Sequence, residues 1–332
     1  MKKIILTSVR DDEMPAIKAW GQRNPEYQIA TVAEELNPQN VAQIAANCDA
    51  LNIQQNEPVD AEIFPQLKAA GIMTMSSRTA GVDNIALKAA KDNGVVITNV
   101  PAYSPHSVAE MAVTQTFRLI RQLELVDKRM AAHDFRYIGL QAREIHNLTI
   151  GIIGAGRIGG LAASLFHALG ATVIAYDTKP NPELEDILTF KSLSEVLQES
   201  DVISLHVDLN PTSINLLDAQ ALSQMKPTAY LVNASRGAVV DTQALIDALD
   251  QKKIAGAAID TLPQETDFFA HDMRNQPIND PQFQHLLDLD NVILTPHMAF
   301  YTDTAVENMI DISLDDIKAL MEGKTSQHIV NP

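Results

Sequence analysis

Three ionisable residues lie just beyond predicted strands, where side chains of a parallel sheet can meet. The residues are Arg236, Glu265 and His297, and the strands before them are predicted at 229–233, 256–259 and 292–294. In doubly wound sheets the functional site lies at the carboxyl ends of the strands. A histidine can protonate a carbonyl oxygen, and a neighbouring carboxylate stabilises its charged form. An arginine fork can bind a substrate carboxylate and polarise that carbonyl. The trio therefore suits hydride transfer to a 2-oxo acid.

Each of these residues also has an ordinary structural explanation. A histidine at a strand end is often structural, an arginine can pair with a surface acid, and a glutamate can lie on a solvated loop. His206 also ends a predicted strand and competes with His297 for the role of acid. What favours the catalytic interpretation is that three complementary groups follow three consecutive strands.

A glycine-rich stretch earlier in the chain predicts a dinucleotide site. The strand 148–153 runs into Gly154-Ala-Gly156-Arg157-Ile158-Gly159, then a helix to Gly170, a strand at 171–176 and Asp177. In such a unit the glycines permit a tight turn and close approach of a pyrophosphate, and the helix start attracts the phosphates. An acid at position 177 suits the ribose hydroxyls and repels a 2′-phosphate, so NAD is favoured over NADP.

The rest of the chain alternates strands and helices, which indicates an α/β protein with two doubly wound parallel sheets. The first sheet is predicted from strands at 3–8, 28–32, 50–53, 72–75 and 95–98, with helices starting near Asn37, Asp60 and Asp83. The second is predicted from about six strands, including one at 202–206. A single long helix is expected from Pro105 to about Met130, an irregular loop at 264–284, and a final helix at 301–323.

Composition narrows the possible partners. The 332 residues carry a formal charge of −17, which disfavours nucleic acid and anionic membranes. One cysteine, Cys48, suits a reducing compartment, and neither a signal peptide nor a membrane span is apparent, so we expect a cytoplasmic protein. No Cys/His spacing predicts a metal site. The mixed charged and aromatic segment 123–145 is expected to pack against a second subunit.

Seven motifs make the chain resemble the NAD-dependent D-2-hydroxyacid dehydrogenases, especially the D-lactate and D-2-hydroxyisocaproate members. The motifs are the glycine turn at 154–159 and the stretches at 78–84, 99–105, 201–207, 233–237, 240–242 and 295–302. The resemblance implies a Rossmann NAD-binding domain, 102–299, inserted into a flavodoxin-like catalytic domain formed by 1–101 and 300–332. It also implies a homodimer, and hinges near 100–103 and 299–301 as one domain closes on the other.

The resemblance also implies roles for individual residues. Arg236 would bind substrate, and Glu265 and His297 would form the acid–base pair. The other substrate-binding residues would be Gln54, Ala80, Gly81, Tyr103 and Phe300. Besides the glycines and Asp177, the cofactor-binding residues would be Arg157, Ile158, Val207, Asp208, Ser213, Ala234, Ser235 and Asp260.

Three positions depart from the family pattern. Gln54, with Asn52 and Asn56 near it, stands where relatives carry tyrosine or leucine, so the pocket wall is more polar than expected. Asp208 replaces a proline and disfavours NADP further, and Ala80 replaces a larger aliphatic residue.

From the catalytic trio and the resemblance we expect reversible reduction of pyruvate or a close analogue to the D-2-hydroxy acid. The alternatives are a dehydrogenase for a larger or polar 2-oxo acid and a non-catalytic NAD(H)-responsive binding protein.

Overall fold

A computed structural model describes residues 1–55 and 57–332, so Asn56 lies outside the described residues. The chain forms two compact units. Unit 1 comprises Met1–Ser104 and Tyr301–Pro332, and unit 2 comprises Pro105–Phe300. The division falls within three residues of the boundaries expected from the sequence, although Phe300 lies in unit 2.

The strands are β1 (Lys2–Leu6), β2 (Tyr27–Thr31), β3 (Ala50–Ile53), β4 (Thr74–Ser77), β5 (Val96–Thr98), β6 (Thr149–Ile153), β7 (Thr172–Tyr176), β8 (Thr189–Phe190), β9 (Val202–Leu205), β10 (Tyr230–Asn233), β11 (Gly256–Ile259) and β12 (Val292–Leu294). The helices are α1 (Met14–Arg23), α2 (Val41–Ala45), α3 (Ile63–Ala69), α4 (Leu87–Asp92), α5 (Pro105–Ile120), α6 (Leu123–Ala131), α7 (Arg157–Ala168), α8 (Leu193–Glu199), α9 (Ala219–Leu222), α10 (Thr242–Asp250), α11 (Pro281–Asp288) and α12 (Asp303–Met321).

Unit 1 is built on a five-stranded parallel sheet in the order β2-β1-β3-β4-β5. Both faces of the sheet are buried, as its apolar strands predict. Ile4 and Leu6 pack in one core cluster with Trp20 and Ile310, whereas Ile5 packs in a second cluster on the other face. Because the chain moves to β2 on one side of β1 and to β3 on the other, the direction of winding changes between β1 and β3.

Unit 2 is built on a seven-stranded parallel sheet in the order β12-β11-β10-β9-β6-β7-β8. About six strands were predicted for this sheet. The additional strand is β8, an edge strand of only two residues, Thr189–Phe190, which is too short to be recognised from its sequence pattern. In this sheet the winding changes between β6 and β9. The carboxyl ends of these two strands carry the glycine turn and the segment that begins at His206.

Several helix boundaries differ from the expectations. The single helix predicted from Pro105 to about Met130 is two helices, α5 and α6, because Gln122 adopts a left-handed backbone with φ of 51°. The first turn around Asn37 is not helical, and α2 begins only at Val41. The stretch 264–284 is not irregular throughout, since a short 3₁₀ helix covers Glu265–Asp267 and α11 begins at Pro281.

The described part of the chain contains neither a candidate membrane span nor a candidate metal-binding cluster. None of its helices combines the length and apolar character that crossing a bilayer requires. Among the same residues, no group of three or more His, Cys, Asp and Glu side chains is arranged to hold a metal ion.

Candidate active site

The glycine turn after β6 contains two glycines that the protein's own packing requires. Gly154 has φ of +90°, and a Cβ there would lie 2.7 Å from the carbonyl oxygen of His206. A Cβ on Gly159 would lie 1.9 Å from the carbonyl oxygen of Gly154. These contacts hold the turn against the carboxyl end of β9, so that α7 can start directly behind it.

Gly156 is different, because no protein atom lies within 4 Å of a Cβ built on it. Its backbone, with φ of −75° and ψ of −155°, is extended and does not lie in the positive-φ region that favours glycine. The fold therefore gives no internal reason for glycine at this position. A ligand that approaches the backbone closely supplies the reason, and a pyrophosphate at the start of α7 is such a ligand.

Asp177, directly after β7, is fixed beside this turn. One carboxylate oxygen accepts from the Ala155 N–H at 2.8 Å, and the other accepts from the Lys179 N–H at 2.7 Å. Arg157 and Ile158 form the first turn of α7, where helix N–H groups lack intrahelical partners. The residues therefore fit a dinucleotide whose phosphates lie at the helix start and whose ribose lies near Asp177.

The three strands that precede the predicted catalytic residues end side by side. Asn233 of β10 is level with Ile259 of β11, and Ile259 is level with Leu294 of β12. The segments that follow these strands thus leave the sheet at one edge.

Two of the three predicted catalytic residues are in direct contact there. Nδ1 of His297 is hydrogen-bonded to one oxygen of Glu265, and the other oxygen of Glu265 accepts from the Leu262 N–H at 2.6 Å. The glutamate side chain is 16% exposed and the histidine side chain 40%. The arrangement holds the imidazole in one orientation while leaving the ring accessible.

Asp260 anchors the segment that carries His297. Its two carboxylate oxygens accept from the Thr295 hydroxyl at 2.5 Å and from the N–H groups of Met298 and Ala299 at 3.0 and 2.9 Å. Its carbonyl oxygen accepts from the His297 N–H at 2.8 Å. Asp260 was predicted to bind cofactor, and its anchoring role was not predicted.

Arg236 lies on a turn shaped by Asn233. The Asn233 amide oxygen accepts from the backbone N–H and the hydroxyl of Ser235, and the amide nitrogen donates to the Arg236 carbonyl at 3.0 Å. The Arg236 guanidinium is partly buried and donates to the Ser235 carbonyl at 2.8 Å. Ala234 and Ser235, both predicted near the cofactor, lie in this turn.

Gly237 brings the arginine turn against the segment that leads to Glu265. A Cβ on Gly237 would lie 2.1 Å from the carbonyl carbon of Leu262. Only glycine permits so close an approach. The segment bearing Arg236 and the one bearing Glu265 therefore pack directly on each other.

The segment after β9 contains His206, Val207, Asp208 and Ser213. Ser213 is buried, and its hydroxyl donates to the Asp208 carbonyl at 2.6 Å, which closes the loop. Val207 packs on the core, and Asp208 is exposed. Burial lowers the pKa of His206 to about 4, and its Nε2 contacts the Ser204 hydroxyl at 2.9 Å. A ring that is uncharged at neutral pH does not suit a general acid, so His206 is the weaker candidate.

The predicted substrate residues of unit 1 follow its strands. The carbonyl oxygens of Ala80 and Gly81, just beyond β4, accept from the side chains of Asn99 and Thr79, both at 2.6 Å. Gln54 directly follows β3, and the Tyr103 carbonyl accepts from the Asn308 side chain at 2.6 Å. Phe300, in unit 2, lies edge-on to the His297 ring with centroids 6.4 Å apart.

Comparison with known proteins identifies the family of this chain. Residues 113–299 match the family model of the D-isomer specific 2-hydroxyacid dehydrogenase, NAD binding domain. The chain belongs to this family.

Its relatives match it over almost the whole length. A D-lactate dehydrogenase of Lactiplantibacillus plantarum is 42% identical over 98% of this chain and 99% of its own. The solved structure of a D-lactate dehydrogenase from a Sporolactobacillus species is 51% identical, with a TM-score of 0.87 and 99% of each chain covered. The NAD-complexed D-isomer specific 2-hydroxyacid dehydrogenase of Lactobacillus delbrueckii ssp. bulgaricus is 38% identical, with a TM-score of 0.88, covering 99% of this chain and 100% of its own.

This 2-hydroxyacid dehydrogenase is thus an NAD-dependent enzyme with the expected α/β fold of two parallel sheets. The predicted family and the predicted cofactor, NAD, are confirmed. Two functional candidates in unit 1 were missed. Arg10 donates to the Gln54 side chain, and the fully buried Arg78 donates to Glu13 and Asn52. The one feature of the sequence that could have indicated these two arginines is that each closely follows a predicted strand.

Proposed function

We propose that this dehydrogenase reduces pyruvate or a close analogue to the D-2-hydroxy acid with NADH, and that the reaction is reversible. The observation that carries the proposal is the His297–Glu265 pair at the edge where β10, β11 and β12 end together. The similarity of the chain to D-lactate dehydrogenases, among them those of Lactiplantibacillus plantarum and the Sporolactobacillus species, supports pyruvate as the substrate to test first.

In the proposed reaction NADH, when bound, supplies the hydride. The side chains of the protein stabilise the charges that form and transfer the proton. Glu265 engages Nδ1 of His297, so Nε2 is the ring nitrogen that gives its proton to the carbonyl oxygen of the substrate. The Glu265 carboxylate stabilises the imidazolium before that transfer. In the reverse direction the same nitrogen accepts the hydroxyl proton.

Arg236 binds the substrate in this proposal. A guanidinium offers donors in a planar fork and no acceptor, which matches a carboxylate and a carbonyl oxygen that gains negative charge. The Asn233 turn and the contact of Gly237 with Leu262 fix the start of this side chain. The guanidinium is thereby held on the segment that packs against that of Glu265.

A panel of 2-oxo acids, assayed by NADH oxidation, tests the proposal. Pyruvate or a close analogue should be turned over, and His297→Gln should lower kcat by roughly 10²- to 10⁴-fold because the proton donor is lost. His285→Gln is a matched control, since His285 also pairs with a carboxylate, Asp250, but both side chains are 45% exposed on α10 and α11. It should leave kcat near that of wild type.

The outcomes separate the alternatives. If His297→Gln turned over pyruvate as fast as His285→Gln, the assigned acid–base role would be wrong. Turnover of only larger or polar 2-oxo acids would replace pyruvate as the substrate. Binding of NADH without turnover of any 2-oxo acid would favour an NAD(H)-responsive binding protein on the same scaffold.

We also propose that the enzyme is a homodimer that uses α6 and the segment after it. None of the residues of α6 is buried within the chain, and large apolar side chains around it are exposed. They are Leu123, Met130, Phe135, Tyr137 and Ile138. Exposed apolar patches of this kind are typical of interfaces. Light scattering at micromolar concentration should give twice the mass of 36.3 kDa, and a monomer would contradict the assignment.

A further inference from the structure

Gln115 is a buried polar residue of α5 to which the proposed reaction assigns no role. Its exposed fraction is only 1%. Helix α5 packs on β10 and β11, the strands that precede Arg236 and Glu265. Burying a polar side chain is costly unless its donors and acceptors find partners. The partners of Gln115 therefore indicate what the residue contributes to unit 2.

The amide of Gln115 is oriented by Arg118, which lies about one turn further along α5. Nη1 of Arg118 donates to Oε1 of Gln115 at 2.9 Å. A guanidinium has only donors, so it must face the oxygen of the amide. Nη2 of Arg118 donates to Glu124 of α6, which holds the guanidinium from its other side. The amide nitrogen of Gln115 is consequently directed away from Arg118.

That nitrogen contacts the segment that carries His297. Nε2 of Gln115 donates to the Thr295 hydroxyl oxygen at 3.2 Å, and the Thr295 hydroxyl donates to Asp260 at 2.5 Å. A hydroxyl has a single hydrogen, and an ionised carboxylate can only accept. Because Gln115 donates to the hydroxyl oxygen, the hydroxyl hydrogen is left for Asp260. Each hydrogen bond in the series from Arg118 to Asp260 therefore has one direction.

The series ends at the group that holds the backbone around His297. The Asp260 carboxylate also accepts from the N–H groups of Met298 and Ala299, and His297 between these donors has φ of 51°. Such a backbone persists only where its surroundings hold it. Without the Gln115 donor, the Thr295 hydroxyl loses its contact with α5 and is free to rotate away from Asp260.

We propose that Gln115 is a positioning residue for the proton donor, His297. It acts through Thr295 and Asp260, and Arg118 fixes the orientation of its amide. This inference rests on the proposed role of His297 in reducing 2-oxo acids. Gln115 has no contact with substrate or cofactor in this proposal, so its loss should affect the chemical step and leave NADH binding unchanged.

Two substitutions of Gln115 test the proposal. Gln115→Met keeps the length of the side chain but removes the donor, and it should lower kcat with pyruvate by about three- to tenfold, roughly the effect of one hydrogen bond. Gln115→Glu is nearly isosteric and keeps an oxygen toward Arg118, but it also lacks the donor and should lower kcat at least as far. Calorimetry should give an NADH affinity within about twofold of wild type in both, since the glycine turn at 154–159 is unchanged.

Thr116→Val is the matched control. Thr116 is the next residue of α5 and is fully buried, and its hydroxyl donates to the Ala112 carbonyl of the same helix at 2.8 Å. This variant should keep the wild-type kcat.

Thr295 tests whether the residues act in series. Thr295→Val removes the connecting hydroxyl and should lower kcat, whereas Thr295→Ser retains it and should keep most of the activity. A double variant, Gln115→Met with Thr295→Val, should be no slower than Thr295→Val alone, because Gln115 acts through that hydroxyl.

The inference would be overturned if kcat in Gln115→Met and Gln115→Glu equalled that of Thr116→Val. It would also be overturned if the two losses multiplied in the double variant, or if NADH affinity fell in parallel with kcat, since the role of Gln115 would then be structural. All of these outcomes leave pyruvate reduction by the wild-type enzyme intact. Wild-type turnover in His297→Gln, or no NADH oxidation with any 2-oxo acid, would instead refute the proposed function.

Discussion

Replacing the buried Arg78 by methionine should destabilise unit 1 severely. Arg78 is fully buried, and its guanidinium donates to Glu13 at 2.9 Å, to the Asn52 side chain at 2.7 Å and to the Thr7 carbonyl at 2.9 Å. It therefore ties the carboxyl ends of β1 and β3 together. Burial lowers the pKa of Arg78, and the charge of Glu13 opposes that effect.

The magnitude follows from what the substitution leaves behind. In Arg78→Met the Glu13 carboxylate, only 1% exposed, keeps Arg10 as a partner but loses its buried counter-charge. Removing one member of a buried ion pair costs about 3–5 kcal/mol. Arg23→Met breaks an exposed pair, in which the arginine is 51% exposed, and should cost no more than about 1 kcal/mol.

The single tryptophan gives an assay for this unit alone. Trp20 is buried in unit 1, and its Nε1 donates to Asp315 at 2.8 Å, so its fluorescence should follow the unfolding of unit 1 in urea. The free energy of unfolding is obtained from the midpoint and slope of that transition. A double variant, Glu13→Met with Arg78→Met, should recover part of the loss, because no unpaired charge remains buried.

The reasoning would be refuted by a loss below about 1 kcal/mol in Arg78→Met, equal to that of Arg23→Met. A double variant less stable than Arg78→Met alone would also contradict it, since the cost would then come from lost packing rather than from the stranded carboxylate.

Other positions give sharp contrasts. Gly156→Ala should leave the unfolding free energy within about 1 kcal/mol of wild type, because the new Cβ contacts no protein atom. It should weaken NADH binding at least tenfold by calorimetry, because the Cβ would occupy the position at which the pyrophosphate approaches the backbone. Gly159→Ala should instead destabilise unit 2 by more than about 3 kcal/mol, since its Cβ would lie 1.9 Å from the Gly154 carbonyl oxygen. The folded-state pKa of His206, about 4, lies below its ordinary value of 6.5, so its burial costs nothing above pH 6.5 and about 3 kcal/mol by pH 4. His206→Asn should therefore lose less stability over that pH range in urea titrations, and an equal loss would exclude His206 as the cause.

The sequence was most informative about residues that directly follow strands of a parallel sheet. Parallel strands end at one edge, so residues that follow different strands can be grouped before any contact is known. That argument placed Glu265 and His297 together, and the structure joins them by a hydrogen bond. Asp218 and Asp241 cap α9 and α10 by accepting from the backbone N–H groups of Ala221 and Ala244, which is the local role that a short acceptor has before an apolar helix.

Features that depend on contacts between residues distant in the chain could not be predicted from the sequence. Strand β8 is two residues long and exists through its pairing with Ile174 and Ala175 of β7. The break between α5 and α6 rests on a left-handed backbone at Gln122, a residue with no local preference for that conformation. Arginine is seldom fully buried, so nothing in its neighbours along the chain indicates that Arg78 is enclosed by acceptors from β1 and β3.

Asp260 holds the backbone of the proposed proton donor, His297, in place. His297 has φ of 51°, a left-handed conformation that is unfavourable for a residue with a side chain, and such a backbone persists only where its surroundings hold it. Asp260 does so, because its carboxylate accepts from donors on both sides of His297 and its carbonyl accepts from the His297 N–H. Asp260 in turn depends on the alignment of Ile259 with Leu294, which brings the end of β11 level with that of β12. The orientation of the imidazole toward Glu265 is therefore set by the strand register of unit 2.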